Sequence, residues 1–191
     1  MPRAGSGCTD CAWLKIIGRM NRLSPALAAA LLLSACSPSL DWREVRPEGA
    51  GLRALFPCKP LSHARSVVLA GQPARMEMHS CSTGGWTFGL TFADLGDPAR
   101  VEPALQQLRQ AASANVGGPE AVIGPMRASG MTPHPQALRV QAQGRRPDGS
   151  VLLQQAGFFA RGTVVYQASI VGHEAAPPEV LDSFFGGFTL Q

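Results

Sequence analysis

An α+β fold with a mostly antiparallel sheet is predicted by three observations. Several segments alternate apolar and polar residues at the period of a strand, one amphipathic helix separates two groups of them, and a short apolar helix closes the chain. The order is strands, helix, strands, helix.

The strand-like run begins near Leu52. Ser66 to Ala70 is short and β-branched, and Gly71-Gln72-Pro73 after it is a turn signal. Arg75 to Ser82 alternates, which puts Met76, Met78 and Ser80 on one face and Glu77, His79 and Cys81 on the other. Gly84-Gly85 turns the chain into Trp86 to Ala93, where Trp86, Phe88, Leu90 and Phe92 share a face.

Apolar residues at Ala104, Leu105, Leu108, Ala111, Ala112 and Val116 follow the i, i+3, i+4 rule of a one-sided helix. Pro103 fits its first turn, so the helix starts near Glu102, after a separate turn at Asp97-Pro98. Gly117-Gly118 ends it. Residues 119–136 hold four prolines and little pattern, and are expected to be a loop.

Strands return with Leu138, Val140 and Ala142 alternating against Arg139, Gln141 and Gln143. Pro147-Asp148-Gly149 makes a turn, and Val151 to Phe159 with Val164 to Val171 form a hairpin closed near Arg161-Gly162. A final helix, about Pro178 to Phe185, sets Val180, Leu181, Phe184 and Phe185 against the sheet. The helix and hairpin spacings also place Phe158, Phe159, Phe184, Phe185 and Phe188 in the core rather than in an exposed partner groove.

Phe56-Pro57 at the start, the strand end Thr91-Phe92-Ala93-Asp94-Leu95, the hairpin residues Val164-Val165-Tyr166 and the closing Asp182-Ser183-Phe184-Phe185 carry a resemblance. From about Leu52 to Gln191 the chain resembles the PsbP-like α/β/α sandwich. The resemblance implies a fold used for binding and assembly support, with no shared catalytic residues.

The first residues read differently. Met20-Asn21-Arg22 is a positive start, and Leu23 to Ala35 is uncharged and ends in small residues, the order of a secretory signal. Its 13 residues fall short of the roughly 20 that span a bilayer. Leu33-Ser34-Ala35-Cys36 resembles the lipobox of bacterial lipoproteins, which implies cleavage before Cys36 and lipid on its sulfur. Ser37 follows where enteric lipoproteins kept in the inner membrane carry aspartate, so the resemblance points to the outer membrane, facing the periplasm. Residues 1–35 are then an extension and signal peptide, with Met20 a possible true start, and the Cys8/Cys11 pair is removed with them. Residues 36–50, broken by Pro38, Pro47 and Gly49, read as a tether, and residues 51–191 as one domain. Trp42 either docks back on the domain or sits among lipid headgroups, and docking is the favoured reading.

Charge excludes a nucleic-acid partner. Arg3, Lys15, Arg19, Arg22 and Asp10 all lie before Cys36, so the overall +4 falls to +1 for the remainder.

No phosphate loop, GxSxG elbow or HExxH helix occurs, and no cofactor is called for. His173-Glu174 lacks the second histidine of a zinc helix, and His134 between two prolines reads as surface. Glu77 and Asp94 read more simply as solvated strand residues than as paired carboxylates. After Cys36, Cys58 and Cys81 are the two remaining cysteines, and an oxidising compartment predicts that they pair. The competing reading is a metal site from Cys58, His63, His79 and Cys81, whose spacing matches no common zinc pattern.

The expectation is therefore a noncatalytic, lipid-anchored envelope domain that binds or supports another envelope component. The alternatives are a periplasmic hydrolase with a site assembled from scattered residues and a metal-binding lipoprotein.

Overall fold

The computed structural model describes residues 40–191. Cys8, Cys11, Met20, the segment Leu33-Ser34-Ala35-Cys36 and Ser37 lie outside them.

The strands are β1 (Arg43–Val45), β2 (Leu52–Phe56), β3 (Leu61–Leu69), β4 (Gln72–Thr83) and β5 (Trp86–Asp94), followed by helix α1 (Val101–Val116). Then come β6 (Glu120–Pro125), β7 (Leu138–Arg145), β8 (Val151–Arg161), β9 (Val164–Gly172), helix α2 (Pro178–Gly186) and β10 (Thr189–Leu190). Seven strands pair antiparallel in the order β3-β4-β5-β9-β8-β7-β6, and β1-β2-β10 form a small second sheet. The α+β class holds, weighted toward β. Among the described residues no helix is long and apolar enough to cross a membrane.

The seven-stranded sheet is covered on both faces. On one, α1 buries Ala104, Leu105, Leu108 and Ala112 against Val140, Ala156, Phe158 and Val165. On the other, α2 and the small sheet enclose Phe88, Leu90, Phe92, Phe159, Tyr166 and Ile170. The five clustered phenylalanines are all core, each at most 3% exposed. Trp86 is only partly buried, at the end of the face it shares with Phe88, Leu90 and Phe92.

Helix α1 starts as the spacing predicts, after a 3-10 turn Pro98–Arg100 capped by the Asp97 side chain. It ends at Gly117, whose φ of 71° is left-handed.

Two expectations are corrected. The tether to residue 50 is docked from Leu40 on. Trp42 docks, as the favoured reading has it, meeting Phe88 edge to face at 6.3 Å; what differs is that the segment around it is ordered as well, with β1 paired to β2 and Ala50 fully buried. A short polar segment with three large apolar side chains, Leu40, Trp42 and Val45, can close over a core that it does not itself supply. The loop expected at 119–136 contains β6, an edge strand with a register shift between Val122 and Gly124. An edge strand tolerates Pro125 and exposes Val122 and Ile123, so it has no burial alternation for the sequence to reveal.

Candidate binding site

Helix α1 is fixed at its two ends to different parts of the sheet. Near its start, Arg100 donates to the Leu69 carbonyl at 2.8 Å, while Gln107 accepts from the Ala70 amide at 2.8 Å and donates to the Val68 carbonyl at 3.0 Å. These bonds hold the β3–β4 turn, where Ala70 (φ 50°) and Gly71 are left-handed. At its other end the backbone touches β7. A Cβ on Gly118 would lie 1.8 Å from the Gln143 carbonyl, and one on Gly144 would lie 1.8 Å from that of Val116. The helix therefore covers Val140 of β7, Ala156 and Phe158 of β8 and Val165 of β9, and leaves a wedge over β3, β4 and β5 that runs on across Gln167, Ser169 and Val171 of β9 and Leu152 and Gln154 of β8.

That wedge is a groove of about 520 Å³, within the ~300–1,000 Å³ range of ligand pockets. Its floor comes from the middle of the sheet. Gly89 and Ser169 are register partners there, as are Thr91 and Gln167. On the opposite face the same central strands carry Phe88, Leu90, Phe92, Ala168 and Ile170, all buried. Small and hydrogen-bonding residues thus occupy the side of β5 and β9 that large apolar residues would be expected to fill. Met76, Met78 and Val67 form one wall, Leu108, Ala112 and Val116 the other. The lining has no carboxylate; Arg65 is its cation, with His63 beside it on β3.

The residues singled out by sequence are dispersed. Cys58 and Cys81 are joined, with sulfurs 2.07 Å apart. His63 pairs with Met78 across β3 and β4, and so projects from the face opposite His79 and Cys81. The four-residue metal set is therefore split between two faces and loses both thiols to the disulfide. Among the described residues no group of three or more His, Cys, Asp or Glu is placed to hold a metal.

His79 stacks on Phe92, ring centroids 6.0 Å apart, and burial pulls its pKa below the ordinary histidine value while Glu77 opposes that shift. His134 accepts from the Gln136 amide, and His173 lies between the Val151 carbonyl and Arg146. Glu77 pairs with Arg75, whereas Asp94 accepts from Thr163 and from the Gly96 amide, bonds that hold its pKa down. The two carboxylates have separate partners. In the groove, His63 and Ser169 stand three strands apart, about 14 Å at the usual strand spacing, too far for a base and its nucleophile.

The floor residues Gly89, Thr91, Gln167 and Ser169 were not legible as a site. Alternation alone marks them as the solvent side of their strands; the sheet order makes those strands central. No protein-family model matches the chain, and no curated protein matches it.

Proposed function

We propose that the chain is a lipid-anchored, noncatalytic protein of the bacterial envelope that holds an extended segment of another envelope polypeptide in the groove between α1 and β3–β5. The observation that carries this reading is the small, hydrogen-bonding floor at the centre of the sheet. Thr91, Gln167 and Ser169 can meet peptide amides, whereas an acyl tail would leave these groups unsatisfied. The methionine wall adapts to varied apolar side chains. Arg65, with no carboxylate in the lining, suits a neutral or acidic segment.

Anchoring through Cys36, at the outer membrane and facing the periplasm, belongs to the same proposal. Leu40 packs beside Gly84 in the β4–β5 turn, and the groove residue Leu152 stands level with that turn through its neighbour's pairing to Gly172 and Trp86. The four-residue step from Cys36 to Leu40 spans at most ~14 Å, which would set this end of the groove near the lipid surface. A PsbP-like sandwich is supported by helices on opposite faces of an antiparallel sheet and by the long β8–β9 hairpin.

The test is photocrosslinking in the cell from a reactive residue at Met78, with Glu179 on α2 as control. A discrete adduct whose linked peptide belongs to an envelope protein, and which is lost when Ser169→Trp fills the groove of a still-folded chain, is the expected result. A lipid adduct, or none, rejects the polypeptide reading.

A further inference from the structure

A second cavity, of about 330 Å³, lies on the opposite face of the sheet, between β6–β8 and the segment leading into α2. Its floor is three glutamines. Gln141 and Gln155 face each other across β7 and β8, and Gln143 follows two residues along on the same face. Directly opposed side chains stand about 5 Å apart and next-but-one neighbours about 7 Å, so the three amides tile a patch the size of one sugar ring.

The walls give that patch its chemistry. Trp86 forms one side. Its indole N–H donates to the Glu174 carbonyl at 3.1 Å, and the ring rests on Gly172, where a Cβ would lie 2.5 Å from it. Glycine at 172 is thus a condition for the ring's position. Leu153, Ile170 and Leu181 complete an apolar rim. Arg139 donates to Gln155 Oε1 at 3.0 Å while its guanidinium lies 4.2 Å over the Phe185 ring, which fixes the Gln155 amide and leaves its NH₂ available to donate.

We infer that this cavity is a binding site for a neutral saccharide bearing hydroxyl groups, with or without acetamido groups. No cation lines it, and Glu174 is its one charged lining residue, so it offers nothing to hold a phosphate or carboxylate. An acyl chain would strip water from three amides without replacing their hydrogen bonds. An extended peptide would find no free backbone edge on the glutamine floor, because β7 and β8 are paired on both sides and the nearby free edge, on β6, is the side turned away from β7. Hydroxyls and acetamides both donate and accept, as glutamine does, and an indole face suits the C–H face of a sugar ring. The site lies on the opposite face from the α1 groove, shares only Gln154 of β8 with it, and stands or falls independently of it.

The purified full chain, in a sugar-free detergent, is titrated with the trimer of N-acetylglucosamine and with maltotriose while glutamine side-chain amide signals are followed by NMR. Saturable shifts at Gln141, Gln143 and Gln155 with at least one trisaccharide are expected. The double variant Gln141→Ala/Gln143→Ala, at exposed positions, should leave the melting temperature unchanged and weaken binding at least about tenfold. Gln167→Ala, in the other groove, should leave it unaltered. No shift with either sugar well above about 1 mM, shifts that survive the double variant, or displacement of the sugar by an unrelated peptide would overturn the assignment.

Discussion

The Tyr166 hydroxyl donates to the Ala50 carbonyl at 2.6 Å, joining residues 116 apart in sequence. Tyr166 stacks on Phe159 with centroids 4.9 Å apart, and both partners of the bond are buried. The bond ties the segment before β2 to the central strand β9. Removing the hydroxyl strands a buried carbonyl, so Tyr166→Phe should cost about 1–3 kcal/mol in urea unfolding. A variant as stable as the parent would show that the bond contributes nothing net.

The same burial pushes the Tyr166 pKa from 10 up to about 12. The folded state then retains a proton that the unfolded state loses, so this contribution is complete below pH 10 and disappears as pH rises to 12. Its size is up to roughly 3 kcal/mol. The chain has a single tyrosine, which makes the absorbance of tyrosinate a clean readout. A rise centred at pH 10 in folded protein would contradict the shift.

Between neutral and mildly acidic pH, the fold is expected to respond through His79. Its Nε2 is buried with no partner among the described residues, and burial lowers its pKa. A depressed histidine pKa stabilises the fold above the unfolded value near 6.5 and withdraws that stability as pH falls. Denaturation between about pH 7.5 and pH 5 should show this decline, and His79→Gln should flatten it. An identical slope in the variant would assign the decline to other groups.

Leu105, 1% exposed, and the half-buried Gln106 test the phase of α1. Leu105→Ala should cost ~2–5 kcal/mol, and Gln106→Ala less than about 0.5. Equal losses would mean that the helix is rotated from this register.

Cys58 and Cys81 clip the strap that follows β2 to β4. Closing a loop of this length contributes roughly 3 kcal/mol on the chain-entropy model, so the double serine variant should melt several degrees lower. Nonreducing peptide mapping of protein taken from the envelope should recover the linked pair; two free thiols there would rule it out.

For the anchor, intact mass should show acyl groups on a chain beginning at Cys36, and Cys36→Ala should abolish both the modification and the processing. An unmodified wild-type protein cut elsewhere would remove the lipid reading.

Much of the fold was legible because its signals are local. The Trp86–Phe92 alternation and the Leu105–Val116 spacing each encode which side of an element meets apolar surroundings. The β6 edge strand and the docked 40–50 segment left little local trace. Both are held by pairing with strands distant in sequence, and neither supplies a strong apolar face of its own. The pairing of Cys58 with Cys81 was legible by elimination; the separation of His63 from His79 and Cys81 required the β3–β4 register.

By itself, the sequence determined the α+β class, the course of most strands and both helices, and the residues that fill the core, since periodicity and turn chemistry act over a few residues. Tertiary structure alone decided that Gly89, Thr91, Gln167 and Ser169 lie beneath a groove and that Gln141, Gln143 and Gln155 share a cavity with Trp86. Side-chain alternation states which face a residue takes. Only the order in which strands pair, and the points where a helix is pinned across them, state what that face meets.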